Sequence, residues 1–169
     1  MLQPLVRATW APRGRTPILK SWHRHDRLTV FSALTVSPQR RRLGLYFTVQ
    51  RANARTDDVV AFLLWVRRHL QRRLIVVLDR LAAHRAAARR LTQTHGGAFR
   101  FEWLPAYAPE INPVECVWSQ SKYSHLANLV PRDIEHLHEH VRDSLDTIRC
   151  TRTRLRGCFT HAGLPLGLR

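Results

Sequence analysis

The sequence predicts a mixed α/β fold in which helices pack on a sheet. Three observations carry that prediction. Segments with strand-like apolar character alternate along the chain with segments whose apolar residues recur at helical spacing. One short continuous apolar run, LIVVL (Leu74–Leu78), has the pattern of a strand buried on both faces. The resulting order is hairpin, helix, strand, helix, strand, helix, helix, and such alternation argues for helices layered on a sheet. In sheets of this kind, chemistry gathers at the carboxyl ends of strands.

The elements follow in order. RLTVFSALTV (Arg27–Val36) is rich in β-branched and apolar residues, is bounded by Asp26 and Pro38, and predicts a strand. Past the basic turn Gln39–Arg42, LGLYFTV (Leu43–Val49) completes a hairpin. Thr56 offers an N-cap with Asp57 and Asp58 in the first turn, and Val59, Phe62, Leu63, Val66 and Leu70 recur at helical spacing. A helix from Asp57 to about Arg72 is expected. Asp79 then sits at the carboxyl end of LIVVL. The Ala-rich stretch from about Ala83 to His95 predicts a second helix, stopped by Gly96 and Gly97. Phe99, Phe101 and Trp103 alternate with Arg100 and Glu102 in a strand that ends at Pro105. A loop leads to Asn112, and a helix runs from Pro113 to about His125. Pro131 opens a last helix with Ile134, Leu137, Val141, Leu145 and Ile148 in one stripe. Residues 151–169 show little periodicity and are expected to be an irregular basic tail behind a single domain, 1–150.

Composition narrows the function classes. The chain has 169 residues, 44% of them apolar, which is enough for a packed core. No apolar run approaches the ~20 residues of a membrane span. The N-terminus lacks a basic region followed by an apolar one, so secretion is not indicated. Three scattered cysteines (Cys116, Cys150, Cys158) make no disulfide framework and suit a reducing cytoplasm. The charge is the most informative feature: 28 Lys and Arg oppose 12 Asp and Glu, a net +16. All the basic residues except Lys20 and Lys122 are Arg. Arg grips phosphate oxygens in a planar, two-pronged way, so a nucleic acid is the expected partner.

Two of the few acids stand out by position. Asp79 ends the apolar strand, and Glu115 lies at the start of the helix after the next strand. Neighbouring strands would bring the two carboxylates to one sheet edge, where hard oxygen ligands suit Mg²⁺ or Mn²⁺ and phosphodiester displacement. Each acid also has a plain structural account. Glu115 fits a capping box with Asn112 as N-cap and Pro113 at the first helical position, and Asp79 could cap the helix that follows it.

The surrounding residues add a resemblance. LPAYAPEINPVECVW (Leu104–Trp118) resembles the last catalytic motif of the Tc/mariner transposase superfamily in its bacterial insertion-sequence branch, through Leu104, Pro105, Tyr107, Pro109, Ile111, Asn112, Pro113, Val114, Glu115 and Trp118. Upstream, VVLDRLAAH resembles the family's middle motif, with Asp79 and His84 in place and Arg80 where the family commonly has Asn. The interval between Asp79 and Glu115 is also the family's. The similarity extends from about Val6 to Ile148 and includes TWAPRGRTP (Thr9–Pro17). It implies an RNase H-like fold whose three acids hold two Mg²⁺ ions and cut and rejoin DNA at transposon ends. Asp79 would be the second acid and Glu115 the third. Asn112 and Pro113 would fix the turn that aims Glu115, and His84 would be either a partner near the metal site or an ordinary first-turn residue.

The pattern departs from the family at its start. The family's first acid belongs to a central first strand that the resemblance places before Met1, and Asp26, Asp57 and Asp58 do not take its place. The expectation is an N-terminally truncated catalytic domain, with a gap in the sheet, inactive and poorly stable alone. The family's helix-turn-helix region is also missing, so remaining DNA affinity should come from Arg–phosphate contacts, insensitive to sequence and weakened by salt. A second expectation is a non-catalytic basic remnant that modulates a full-length transposase by mixed assembly. A third is a gene relic with no role. A homodimer, through the last helix, and a bacterial, nucleoid-associated location complete the picture.

Weaker signals have plainer readings. On a helix, His136 and His140 share a face while His138 points away, so they do not converge on zinc, even with Cys150 and Cys158 nearby. Arg40-Arg41-Arg42 reads as a solvated turn that could equally touch DNA backbone. Trp103, Tyr107 and Trp118 read as core and loop packing rather than base-stacking platforms.

Overall fold

A computed structural model describes residues 10–15, 28–39, 42–164 and 166. Asp26, Arg40, Arg41 and the stretch around Val6 lie outside them. Four strands and five helices are described in the order β1 (Thr29–Val36), β2 (Leu43–Gln50), α1 (Thr56–Leu70), β3 (Leu74–Leu78), α2 (Ala82–Thr94), β4 (Phe99–Trp103), α3 (Pro113–Gln120), α4 (Ile134–Cys150) and α5 (Arg152–His161). The strands form two pairs. β1 and β2 make an antiparallel hairpin with Thr29 opposite Gln50 and Val36 opposite Leu43. β3 and β4 are parallel, joined through α2, with Leu74 beside Phe99 and Leu78 beside Trp103. Among the described residues no ladder links the two pairs.

Side chains do what the backbone does not. Alternate residues of β1 point to opposite faces. Phe31 and Ala33 join a core with Val59, Phe62, Leu63 and Val66 of α1, Ala87 and Leu91 of α2, and Leu74, Val76, Phe99 and Phe101 of the parallel pair. Helix α1 therefore covers both pairs at once. The other face of the hairpin, with Leu28, Val30 and Leu34, packs on a second core made by Val117 of α3, Val141, Leu145 and Ile148 of α4, and Leu155 and Cys158 of α5. Burying each such Leu or Ile side chain contributes roughly 1.5–3 kcal/mol.

Helix ends follow local chemistry. The Arg55 N–H donates to Asp58 Oδ2 (2.8 Å) at the start of α1. Gly97 has a φ of 76° just beyond α2, a conformation that suits glycine. The last long helix starts later than Pro131, because Asp133 is its N-cap and accepts from the His136 N–H (2.7 Å).

Two expectations need correction. LIVVL is not buried on both faces: Ile75 is 70% and Val77 56% exposed, because the layer of α3, α4 and α5 packs on the hairpin core and not on the parallel pair. The tail is not irregular. Residues 152–161 form α5, and Leu155, Cys158, Phe159 and Ala162 recur at helical spacing and are buried. Among the described residues no helix is long and apolar enough to cross a membrane.

Candidate active site

Asp79 leaves the end of β3 where the parallel ladder closes. The Leu104 N–H donates to the Leu78 carbonyl (2.9 Å), and Arg80 Nε donates to the Leu104 carbonyl (3.2 Å). Asp79 therefore stands at the carboxyl edge of the β3–β4 pair, beside the first residue after β4. Its Oδ1 accepts from the Leu81 N–H (3.2 Å) and from Nδ1 of His84, in the first turn of α2. Asp79 does not cap α2, whose N-cap is Leu81 and has no side-chain cap. His84 is thus a direct partner of the acid, not a free first-turn residue. Because the ionised carboxylate only accepts, the imidazole carries its proton on Nδ1 toward it. The Asp79 side chain is 44% exposed and that of His84 22%, so the carboxylate is held on one side and open on the other.

Glu115 is aimed by the loop before α3. Tyr107 takes a left-handed φ of 57°, a 3₁₀ turn covers Pro109–Ile111, and the Asn112 N–H donates to the Pro109 carbonyl (3.0 Å). Asn112 caps α3 through Oδ1, which accepts from the Val114 N–H (3.2 Å), and Pro113 occupies the first helical position. The expected reciprocal bond from Glu115 to the Asn112 N–H is not made, because the Pro109 carbonyl has that donor. Glu115 is exposed, and its carboxylate has no hydrogen bond or ion pair among the described residues. Val117, on the opposite side of α3, is fully buried, which fixes the direction in which Glu115 points.

The structure joins Asp79 with His84. It does not gather a full ligand set: among the described residues no group of three or more His, Cys, Asp or Glu converges on one point. The His136 and His140 rings share a face of α4, as their spacing predicts, with centroids 4.3 Å apart. The elements that position the two acids pack in different cores: β3 with α1 and α2, and α3 with α4 and α5. In donor chemistry the residues suit a hard divalent cation. Mg²⁺ is commonly held by one or two carboxylates and keeps several waters.

Aromatic residues near this edge differ from expectation. Trp118 packs on the core as anticipated, but Tyr107 is fully exposed and Trp103 38% exposed. Trp103 lines an open groove with Phe101 and with Arg85, Ala88 and Arg89 of α2.

A family model described as DDE superfamily endonuclease matches residues 1–138. The chain belongs to that family. Consistent with it, this DDE endonuclease chain aligns with a crystal structure of the Mos1 strand transfer complex at 21% identity and a TM-score of 0.56. The alignment covers 96% of this chain and 48% of the other, so the chain spans about half the length of the Mos1 chain it matches. The RNase H-like fold expected from the motifs is therefore present in this DDE family member. No curated protein matches it.

Proposed function

We propose that this DDE endonuclease chain is a transposase catalytic domain that cuts and joins DNA strands at transposon ends in the cytoplasm, and that in isolation it holds DNA better than it cuts it. The observation that carries the reading is Asp79, fixed at the carboxyl edge of the parallel pair by His84 and the Leu81 N–H and left open on its other side. Asp79 and Glu115 would hold a divalent cation. Bound there, Mg²⁺ or Mn²⁺ supplies activation of water or a DNA 3′-hydroxyl and stabilisation of the leaving oxygen. The chain's own residues prepare that site. His84 fixes the plane of the Asp79 carboxylate, as outer-shell partners of metal ligands do. Asn112 and Pro113 fix the first turn of α3 and with it the direction of Glu115. Arg side chains neutralise the phosphates on either side of the scissile bond.

A second reading has an observation of its own. No three ligands converge among the described residues, which favours a protein that binds DNA and modulates a full-length relative without cutting.

Nicking of supercoiled plasmid by the purified chain, with Mg²⁺, Mn²⁺ or a chelator, separates the two. Metal-dependent nicking that falls to background in both Asp79→Asn and Glu115→Gln is expected for the first reading. His84→Ala should lower that activity by roughly 10–100-fold. Nicking that survives both acid substitutions rejects the site. Tight DNA binding without metal-dependent nicking favours the second reading.

A further inference from the structure

β4 carries Phe99, Phe101 and Trp103 on one face, two residues apart, and their burial falls along the strand. Phe99 is buried, Phe101 half-buried and stacked on Phe99 (centroids 5.9 Å apart, planes at 15°), and Trp103 is exposed. The ladder thus runs out of the core toward the edge where Asp79 stands, since Trp103 pairs with Leu78, the residue before Asp79. Beside it α2 presents Ala88 at the floor and Arg85 and Arg89 one turn apart above it. Together they line an open groove of about 590 Å³. Arg89 Nε donates to the Arg85 carbonyl (3.4 Å), and neither guanidinium has a carboxylate partner among the described residues. By contrast, Arg90 on the next face of α2 is paired with Asp57.

We infer that this groove binds an unpaired nucleotide of a DNA strand, with its base on the Trp103 ring and its phosphates on Arg85 and Arg89. The inference rests on the reading above that the chain acts on DNA, and it adds where a strand runs as it leaves the Asp79 edge. The chemistry selects the occupant. Two guanidinium groups at helical spacing, without a carboxylate partner among the described residues, match successive phosphates of a strand. An exposed indole next to them offers a stacking surface that any base can use, and it is available only to a base freed from its pairing partner. An apolar peptide would leave both Arg side chains unused.

The test is the affinity of the purified chain for fluorescein-labelled oligothymidylate and for a duplex of mixed sequence, by fluorescence anisotropy at several KCl concentrations. Trp103→Ala should weaken oligothymidylate binding by roughly 10-fold while Trp103→Phe retains most of it, because stacking is tolerant of the ring. Duplex binding should be unchanged by either. The double variant Arg85→Gln/Arg89→Gln lies on an exposed helix face and should make the salt slope for oligothymidylate shallower by about 1.4, the loss of two phosphate contacts. Equal loss of single-strand and duplex affinity in Trp103→Ala overturns the unpaired-base assignment. Wild-type binding that none of the variants alters overturns the groove and leaves the proposed function standing. No binding of either DNA by the wild-type chain overturns both.

Discussion

Cys158 is fully buried, and Gln120 Nε2 donates to both its Sγ (3.3 Å) and that of Cys116 (3.4 Å). Burial pushes the Cys158 thiol up, and the adjacent Cys116 adds to the shift. A thiol held protonated is a poor nucleophile, whereas Cys150 is exposed. An aromatic disulfide reagent at pH 8 should therefore modify Cys150 first and Cys158 only once the chain is denatured; peptide mapping that finds both labelled at one rate would contradict this. A polar network beside them was invisible in the sequence. His125 Nδ1 lies 2.9 Å from Ser144 Oγ, Ser144 Oγ donates to Ser121 Oγ (2.8 Å), and Arg154 donates to His125 Nε2 (2.6 Å). Because Arg has no acceptor, the imidazole must accept at Nε2 and donate at Nδ1. Those four residues come from the turn Ser121–His125, from α4 and from α5, and no local pattern announces such a set. Asp79 and His84 were legible because strand end and first helical turn lie within one short segment.

Helix α5 shows how an element escapes sequence reading. Its buried positions Leu155, Cys158 and Phe159, with the C-cap Ala162, keep helical spacing, but Arg152, Arg154, Arg156 and Gly157 interrupt them, so charge and a helix-weakening glycine masked the stripe. The stripe completes the core under the hairpin, where Leu155 is 2% exposed. Leu155→Ala should destabilise the chain by about 2–5 kcal/mol, read as a lower urea midpoint; an unchanged midpoint would mean that α5 adds nothing to the core. β3 failed in the opposite sense. Its unbroken apolar run predicts cover on both faces, but cover is a property of the neighbours, and among the described residues α1 and α2 supply it on one face. The period-two residues of β4 and the helical stripes of α1 and α4 were legible because each records a single packed face.

At the scale of the molecule, charge dominates. With a net +16, DNA affinity from phosphate contacts should fall linearly in log–log form as salt rises, with a slope of about −0.9 per phosphate neutralised on duplex. Duplexes of unrelated sequence should give the same slope, and filter binding across a KCl series checks it; a salt-insensitive, sequence-selective affinity would reject a backbone-driven contact. The two acids were legible as positions, but the packing of their elements was not: β3, which Asp79 follows, packs in one cluster, and α3, which carries Glu115, packs in the other. That division gives the split sheet a mechanical meaning. Among the described residues the two strand pairs share α1 and no ladder, so there the packing of α1 is what joins one pair to the other. A cation that took oxygens from both acids would act as a rivet across this seam. Its binding would then register as a stiffer molecule, slower to exchange amide hydrogens in β1 and β3, before any phosphodiester is touched.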